Sequence, residues 1–253
     1  MIDRMSGLPV YRQVAAVLRE KIESGEYGPG ARLPSESELI EFFGVSRITV
    51  REAISLLRAE GMVASEHGRG VFVRSPGRVL RISRNRLIRA AREQDRGLFL
   101  ADAKASDFTP SVTVEVRFEP ASADHAEALG IEPGTELLVR DRVMLADGLA
   151  VQLAISRLPR TITRGTSIEE FDTGAGGVYA RLEEIGHSLD RFHETVGARM
   201  PTSDESAVLR LPVGVPVLVV RRIAYDAHDR AVEVNDMVLA ADRYELSYQL
   251  PAD

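Results

Sequence analysis

The sequence predicts an α+β chain of two domains: a small N-terminal domain of helices with a β-hairpin, and a larger α/β domain whose sheet is mainly antiparallel. Two helical patterns meet near residue 44 across a very short glycine turn. A pattern of helix, turn and two strands occurs twice, about 80 residues apart. Charge also divides the chain: residues 1–96 hold 17 basic and 12 acidic residues (net +5), and residues 97–253 hold 15 and 26 (net −11). A basic module joined to an acidic one indicates two different partners.

Composition narrows the class of protein. The chain has 253 residues, and 44% of them are hydrophobic, which suffices for one large or two ordinary cores. The absence of cysteine excludes disulfides and thiolate metal sites. The N-terminus lacks the unbroken apolar core of a signal peptide, and no run approaches the ~18 apolar residues of a membrane span. The five histidines show no metal-ligand spacing. We therefore expect a soluble cytoplasmic protein without a metal or other cofactor.

The first element is an amphipathic helix. Tyr11, Val14, Leu18 and Ile22 recur at helical spacing, and Gly25 ends the pattern. The stretch YGPGARLP that follows contains the residues of a turn.

A helix-turn-helix comes next. Ser35 and Glu38 have the spacing of a capping box, which begins a helix, and Gly44 ends that helix. Ser46 is the expected N-cap of the following helix, so a single residue separates the stop from the next start. Two helices joined by so short a glycine-containing turn are typical of a helix-turn-helix.

The second of these helices begins with two arginines on one face. Arg47 and Arg51 lie where the helix dipole is positive, and like charges four residues apart repel, so each effect costs about 0.3–1 kcal/mol. An anionic partner such as DNA would offset that repulsion. The alternative is a solvated surface in which Arg51 pairs with Glu52, Ser55 or a neighbouring helix.

A β-hairpin follows the helices. The stretch MVASEHGRGVFVR, residues 62–74, predicts two short strands around a tip of glycines, His67 and Arg69. His67 is equally compatible with a contact to DNA from the hairpin tip and with a plain turn position.

Together these features resemble the winged helix-turn-helix of the GntR family of bacterial transcription factors. The resemblance covers residues 9–73, in the sequence stretches YRQVAAVLREKIESGEYGPGARLPSESEL, VSRITVREAISLLRAEGMV and HGRGVFV. It implies that the second helix of the motif lies in the DNA major groove and that the wing tip enters the minor groove. The residues that we expect to contact DNA are Ser35, Ser37, Ser46, Arg47, Thr49, Arg51, His67, Gly68 and Arg69.

Ser37 departs from the family pattern, since many members carry a DNA-contacting basic residue there. A serine can contact phosphate but cannot make the bidentate guanine contact of an arginine.

An arginine-rich stretch separates the two domains. Between Arg74 and Arg96 the chain holds eight arginines and two acidic residues, with too few apolar residues for a core. We assign residues 76–96 as a linker between a DNA-binding domain, 1–75, and a second domain, 97–253. The linker is either a solvated tether, an additional phosphate contact, or a strand or helix packed on a partner.

The second domain contains an internal repeat. Pro120 aligns with Pro201, 81 residues later, and Arg142 aligns with Arg222, 80 residues later. Each copy reads as a short helix, a turn and a hairpin, with one strand before it. Two such halves predict a mainly antiparallel sheet with a pseudo-twofold axis and a pocket where the halves meet.

The order of these elements resembles the UTRA effector-binding domain of the HutC-type branch of GntR regulators, a domain similar in fold to chorismate lyase. The resemblance covers about residues 106–250, in the sequence stretches FTPSVTVEVRF, ALGIEPGTELLVRDRVMLADGLAVQLAISRLP, GGVYARLEEIG and DRAVEVNDMVLAADRYEL. It implies that a small anionic or sugar-like metabolite binds between the halves. The residues that we expect to contact it are Phe108, Thr109, Arg140, Arg142, Gln152, Tyr179 and Glu233.

Two departures bear on the ligand. Relatives that bind phosphorylated sugars often carry a serine at the position of Gly177 and a tyrosine at that of Leu239. We therefore expect a less polar pocket and a partly apolar effector, which can also be acidic. Arg140 and Arg142 share one strand face and could clamp an anionic group. The alternative is that they pair with Asp141, Glu136 or other surface acids.

The sequence thus predicts a ligand-responsive transcriptional regulator, a homodimer that binds an inverted-repeat operator as a repressor. Two other hypotheses remain open. The second domain could serve dimerisation alone, or, given its lyase-like fold, it could be an enzyme. We find no nucleophile elbow or phosphate-binding glycine loop, so we expect no catalysis.

Overall fold

The computed structural model describes residues 7–66, 68–74, 79–82, 99, 103 and 108–248. The chain forms two compact units, one built mainly from residues up to Gly77 and the other mainly from residues after it. Within the described residues, no helix is both long enough and apolar enough to cross a membrane.

The N-terminal unit is a three-helix domain with a hairpin. Its elements are α1 (Val10–Glu23), α2 (Glu36–Phe43), α3 (Arg47–Ala59), β1 (Val63–Glu66) and β2 (Gly70–Val73). The helices begin and end where the local sequence requires it. Ser35 and Glu38 form the capping box, Gly44 ends α2 with a φ of 63°, and Ser46 caps α3. These local signals confirm the helix-turn-helix.

The core of this unit comes from the apolar stripes of the helices. Val14 and Leu18 of α1 pack with Leu39 of α2 and with Val50 and Leu57 of α3, all at most 2% exposed. Because these side chains point inward, α3 turns its charged face to solvent.

The C-terminal unit is a six-stranded antiparallel sheet with helices between its strands. Its strands are β4 (Pro110–Pro120), β5 (Glu136–Ala146), β6 (Leu149–Pro159), β7 (Leu189–Arg199), β8 (Val217–Asp226) and β9 (Ala231–Ala240). Its helices are α4 (Ala123–Leu129), α5 (Arg160–Thr163), α6 (Gly177–Glu184) and α7 (Ser203–Val208), with a 3₁₀ turn at Ser167–Glu169. The strand order is β4-β5-β6-β9-β8-β7.

This order confirms the internal repeat. The first copy supplies β4, α4, β5 and β6, and the second supplies β7, α7, β8 and β9. Equivalent strands therefore follow in the same order from either edge of the sheet to its centre. At its centre Ile155 of β6 pairs with Asp236 of β9, and 236 − 155 gives 81, the offset of the repeat. The pseudo-twofold axis therefore passes between β6 and β9.

Part of the arginine-rich stretch has a defined structure. Val79–Ile82 forms β3, which pairs in parallel with β10 (Tyr244–Ser247) of the C-terminal unit. Four residues within the stretch that we assigned as linker are therefore a strand, one of the conformations that the sequence left open. The remainder of residues 76–96 lies outside the described residues.

Candidate functional site

The N-terminus of α3 presents a compact polar face to solvent. The Ser46 hydroxyl accepts a hydrogen bond from the Thr49 backbone N–H at 3.2 Å and lies 2.9 Å from the Thr49 hydroxyl. The side chains of Arg47 and Arg51 are 67% and 68% exposed. Both guanidinium groups are therefore available to a large anionic surface.

A glutamate that our sequence analysis did not single out faces these arginines. Glu36 of α2 lies 3.0 Å from Nε of Arg51 and 4.0 Å from Nε of Arg47. The pairing of Arg51 with a neighbouring helix, an alternative that the sequence left open, is thus present. All three side chains are more than a third exposed, and exposed ion pairs contribute only about 0–1 kcal/mol. Such a pair orients the arginines without preventing them from binding phosphate.

The other residues expected to contact DNA lie on α2 and on the hairpin. Ser35 caps α2 and Ser37 is exposed one residue beyond Glu36. Gly68 and Arg69 are exposed at the hairpin tip, where the Arg69 guanidinium lies 5.5 Å from the centre of the Phe72 ring. His67 lies outside the described residues.

A cavity of about 330 Å³ opens between the two halves of the C-terminal sheet. Its walls come from β4, β5 and β6 of the first copy, from β8 and β9 of the second, and from the start of α6. Five of the residues expected to bind the effector line it: Arg140, Arg142, Gln152, Tyr179 and Glu233.

Arg140 organises the cavity wall. It is 3% exposed, and its guanidinium donates hydrogen bonds to the backbone carbonyls of Ile168, Glu170 and Phe171. Burial, together with the charge of neighbouring Arg142, lowers the pKa of Arg140 to about 10. Since most of its donors are engaged by the loop, Arg140 fixes the shape of the wall and contributes positive charge.

Arg142 has far fewer protein partners. Its guanidinium donates to the Ser156 hydroxyl, its Nε is buried without a hydrogen-bond partner, and burial lowers its pKa. Among the described residues, no carboxylate oxygen lies within 4.0 Å of it, and Glu136 pairs instead with Arg160 at 2.8 Å. Among the described residues, Arg142 therefore does not pair with a surface acid, which was the alternative that the sequence left open.

Comparison of the two copies explains why Arg142 lacks a carboxylate partner. Arg222, its counterpart, is 1% exposed and donates from Nε to Glu194 at 2.7 Å. Glu194 lies directly across from Arg222 on β7, whereas the residue directly across from Arg142 on β4 is Val114. The first copy thus holds the arginine without the acid that neutralises it in the second.

The cavity wall also presents hydrogen-bond acceptors. Glu233 is 2% exposed and accepts a hydrogen bond from the Tyr179 hydroxyl at 2.6 Å. Burial raises the pKa of that hydroxyl, so it remains a donor to the carboxylate. Oδ1 of Asn235 is buried without a hydrogen-bond partner in the described protein, and Gln152 Oε1 accepts from Tyr244 at 3.0 Å. Ligand hydroxyl or ammonium groups would suit Glu233 and Asn235.

The beginning of α6 completes the cavity. Gly176 is the N-cap with a φ of 79°, and Gly177 has a φ of 66°. Both line the cavity. A left-handed conformation strongly favours glycine, which accounts for a glycine at position 177. The Gly177 N–H donates to the Gly174 carbonyl at 3.2 Å. The N–H groups that follow it in the first turn lack intrahelical acceptors, so they favour an anion.

Three sequence expectations about the wall differ from the structure. Leu239 lies on the same strand face as Glu233 but about 20 Å farther along β9, where it is buried beside Phe99. Phe108 packs against the same Phe99, with ring centres 5.4 Å apart. The Thr109 N–H donates to Asp147 at 2.9 Å. Of these three residues, none lies in the cavity wall.

The apolar part of the wall therefore comes from other residues. Met144, Met237 and Val112 line it, with Asn235 and Arg222 among the polar ones. Strand alternation could have found two of them, because Asn235 and Met237 follow Glu233 at steps of two residues.

Comparisons with known proteins agree with both units. The pattern of the bacterial regulatory proteins of the gntR family matches residues 10–73, and that of the UTRA domain matches residues 109–245. An uncharacterised HTH-type transcriptional regulator of Streptomyces coelicolor is 31% identical, covering 95% of this chain and 92% of its own. The HTH-type transcriptional repressor NagR of Bacillus subtilis is 29% identical, covering 96% and 95%.

A solved structure shows the same architecture. PhnF from Mycobacterium smegmatis has a TM-score of 0.60 and 26% identity, covering 95% of this chain and 100% of its own. The winged helix-turn-helix, the duplicated sheet with its cavity and these similarities lead to one conclusion. The chain belongs to the GntR family of bacterial transcriptional regulators, in the HutC-type branch that joins the DNA-binding domain to a UTRA domain.

Proposed function

We propose that this regulator is a homodimeric repressor that binds an inverted-repeat operator and releases it when a small anionic effector fills the UTRA cavity. The observation that carries the proposal is Arg142, a half-buried cation that lines the cavity with no carboxylate within 4.0 Å among the described residues. The Arg142 guanidinium is half-buried, and Glu233, whose charge stabilises it most, makes no ion pair with it. A ligand anion that pairs with this partly desolvated cation therefore gains a strong charge-assisted bond.

The effector has a definable chemistry. Its anionic group binds Arg142 and the first turn of α6, and its hydroxyl or ammonium groups donate to Glu233 and Asn235. Methionine side chains, Met144 and Met237, cover its less polar part. The cavity of about 330 Å³ lies at the small end of ligand sites, which favours a metabolite over a larger cofactor. These groups bind and orient a ligand, and we assign them no catalytic role.

DNA is bound by the N-terminal domain. Arg47 and Arg51 contact base edges or phosphates in the major groove, Thr49 contacts phosphate, and the tip at Gly68 enters the minor groove. Ser35, Ser37 and Ser46, with His67 and Arg69, complete the proposed interface.

The switch requires unequal binding. An effector changes DNA affinity only if it binds the DNA-competent and DNA-incompetent arrangements of the dimer with different affinities. A coupling of about 1–3 kcal/mol gives a 5–150-fold change in operator affinity, and DNA must weaken effector binding by the same factor. The stretch 76–96, which joins the two domains, is where we expect this change to be transmitted.

The test starts from DNA selected in vitro by the full-length protein. A panel of hydroxylated carboxylates and sugar phosphates is then screened for release of that DNA, measured by fluorescence anisotropy. Arg142→Ala should bind the operator with wild-type affinity but should no longer release it at the wild-type effector concentration. Arg164→Ala serves as the control, because its side chain is 73% exposed and lies outside the cavity wall. Release of DNA by Arg142→Ala at the wild-type concentration would place the effector elsewhere.

A further inference from the structure

One side chain on α3 has no evident role in folding. Ile48, the second residue of the helix, is 70% exposed. Within α3, which the structure describes in full, it is the one large apolar side chain on the exposed face. A single exposed isoleucine is ordinary on a protein surface, so its meaning depends on where it points.

Helical geometry directs Ile48 away from the core. At 3.6 residues per turn, it lies roughly 180–200° around the helix from the buried Val50 and Leu57. It lies roughly 60° from Arg51 and one residue after Arg47. Ile48 therefore projects from the same outward surface as the two exposed arginines.

Stability of the helix does not explain the residue. The position that packs against the residue before the N-cap is Val50, four residues after Ser46, and not Ile48. A β-branched residue also favours the helix less than alanine does. A side chain that is mostly solvated returns little burial energy, so its selection points to a partner outside the chain.

The chemistry of the major groove supplies an apolar partner. Each base pair presents hydrogen-bonding groups there, and thymine alone adds a methyl group, which apolar side chains contact. Arginine and threonine cannot read that group through hydrogen bonds. We propose that Ile48 is a specificity-determining residue that packs on the C5-methyl group of one thymine in each operator half-site.

This inference rests on the proposed placement of α3 in the major groove, and the experiment separates the two. Operator DNA is first obtained by in vitro selection with the full-length wild-type protein. Each thymine of the half-site is then replaced in turn by deoxyuridine, which removes only the methyl group. Affinities for wild type, Ile48→Ala and Arg47→Ala are measured by fluorescence anisotropy at one salt concentration.

The expected pattern is specific. Wild type should lose about fourfold in affinity at one thymine per half-site, the factor expected for one carbon removed from a buried contact. Ile48→Ala should bind the thymine operator at least as weakly as wild type binds the deoxyuridine one, and should no longer distinguish the two. Arg47→Ala should bind both more weakly while keeping the distinction between them.

Other outcomes overturn the proposal. If Ile48→Ala weakens both operators equally and keeps the methyl preference, Ile48 contacts the sugar-phosphate backbone instead. If it binds as wild type does, Ile48 does not touch DNA. If Arg47→Ala also leaves affinity unchanged, the placement of α3 itself is wrong, which is a failure of the proposed function. Ile48→Ala folds on the same helix with a better helix former, so loss of folding does not confuse these outcomes.

Discussion

The two copies of the repeat differ at the residue that stands opposite their equivalent arginines. Arg222 is neutralised across the sheet by Glu194, while Arg142 faces Val114 at the equivalent position. The Tyr248 hydroxyl also donates to Glu194 at 2.8 Å, which fixes the acid of the second copy. The duplication thus yields one arginine that the protein pairs with a carboxylate and one, lining the cavity, that it does not.

Restoring the missing acid should therefore block the site. In Val114→Glu, the new carboxylate should reach Arg142 as Glu194 reaches Arg222, and so occupy the position of the effector anion. We expect effector affinity to fall at least tenfold, corresponding to the ~1.5–3 kcal/mol of a charged hydrogen bond, while operator affinity stays within twofold in the absence of effector. Isothermal titration calorimetry and anisotropy measure the two affinities.

Val114→Gln is the control for shape. It places a side chain of equal length opposite Arg142 without the negative charge, so it should weaken the effector less than Val114→Glu does. The glutamate variant should also melt at a higher temperature than the glutamine variant, because it alone places a carboxylate directly opposite the half-buried Arg142. Equal effector affinity for Val114→Glu and wild type would mean that Arg142 is not the anchor.

At the scale of elements, α6 is bounded by two glycines in left-handed conformations. Gly177, with a φ of 66°, begins the helix at the cavity, and Gly186, with a φ of 92°, follows its end outside the cavity wall. An alanine at either position meets the same backbone penalty of about 1–2 kcal/mol. Only the first position also sets where the first-turn N–H groups point.

The two alanine variants should thus separate stability from binding. Gly177→Ala and Gly186→Ala should each lower the melting temperature by a few degrees, since about 1 kcal/mol shifts it by ~2–4 °C in a domain of 150–250 residues. Gly177→Ala should in addition weaken the effector several-fold, whereas Gly186→Ala should not. Calorimetry of melting and of effector binding tests both statements. Equal effector affinities in the two variants would remove the start of α6 from the site.

Elements defined by local chemistry were predictable from the sequence, and those set by tertiary packing were not. The capping box of Ser35 and the stop at Gly44 depend on residues within one turn, so they lie where the sequence places them. Glu36 and Arg51 pair although they are 15 residues apart in sequence, and no periodic pattern predicts that pair. Leu239 has the strand parity of Glu233, yet Phe99 and its neighbours cover it. Periodicity predicts on which face of a strand a residue lies. Whether that position lies in the cavity or in the core depends on how the whole fold packs.

At the scale of the whole molecule, the uneven distribution of charge affects which part of the chain contacts DNA. The net charge is −6, but the first 96 residues carry +5 and the remainder −11. Phosphates attract the first part and repel the second, so the electrostatic field favours contact through the N-terminal domains. A lone winged helix reads few base pairs, and pairing two heads by a twofold axis doubles the readout.

A homodimer with two heads should require half-sites on one face of the duplex. Inserting about five base pairs, half a helical turn, between the half-sites of the selected operator should turn them to opposite faces and reduce affinity to that of a single half-site. An insertion of about ten base pairs restores the face and serves as the matched control, so it should bind more tightly than the five-pair insertion. Analytical ultracentrifugation should find two chains on each intact operator. A single chain per operator, or equal affinity for the two insertions, would contradict twofold recognition and leave the N-terminal domain reading DNA alone.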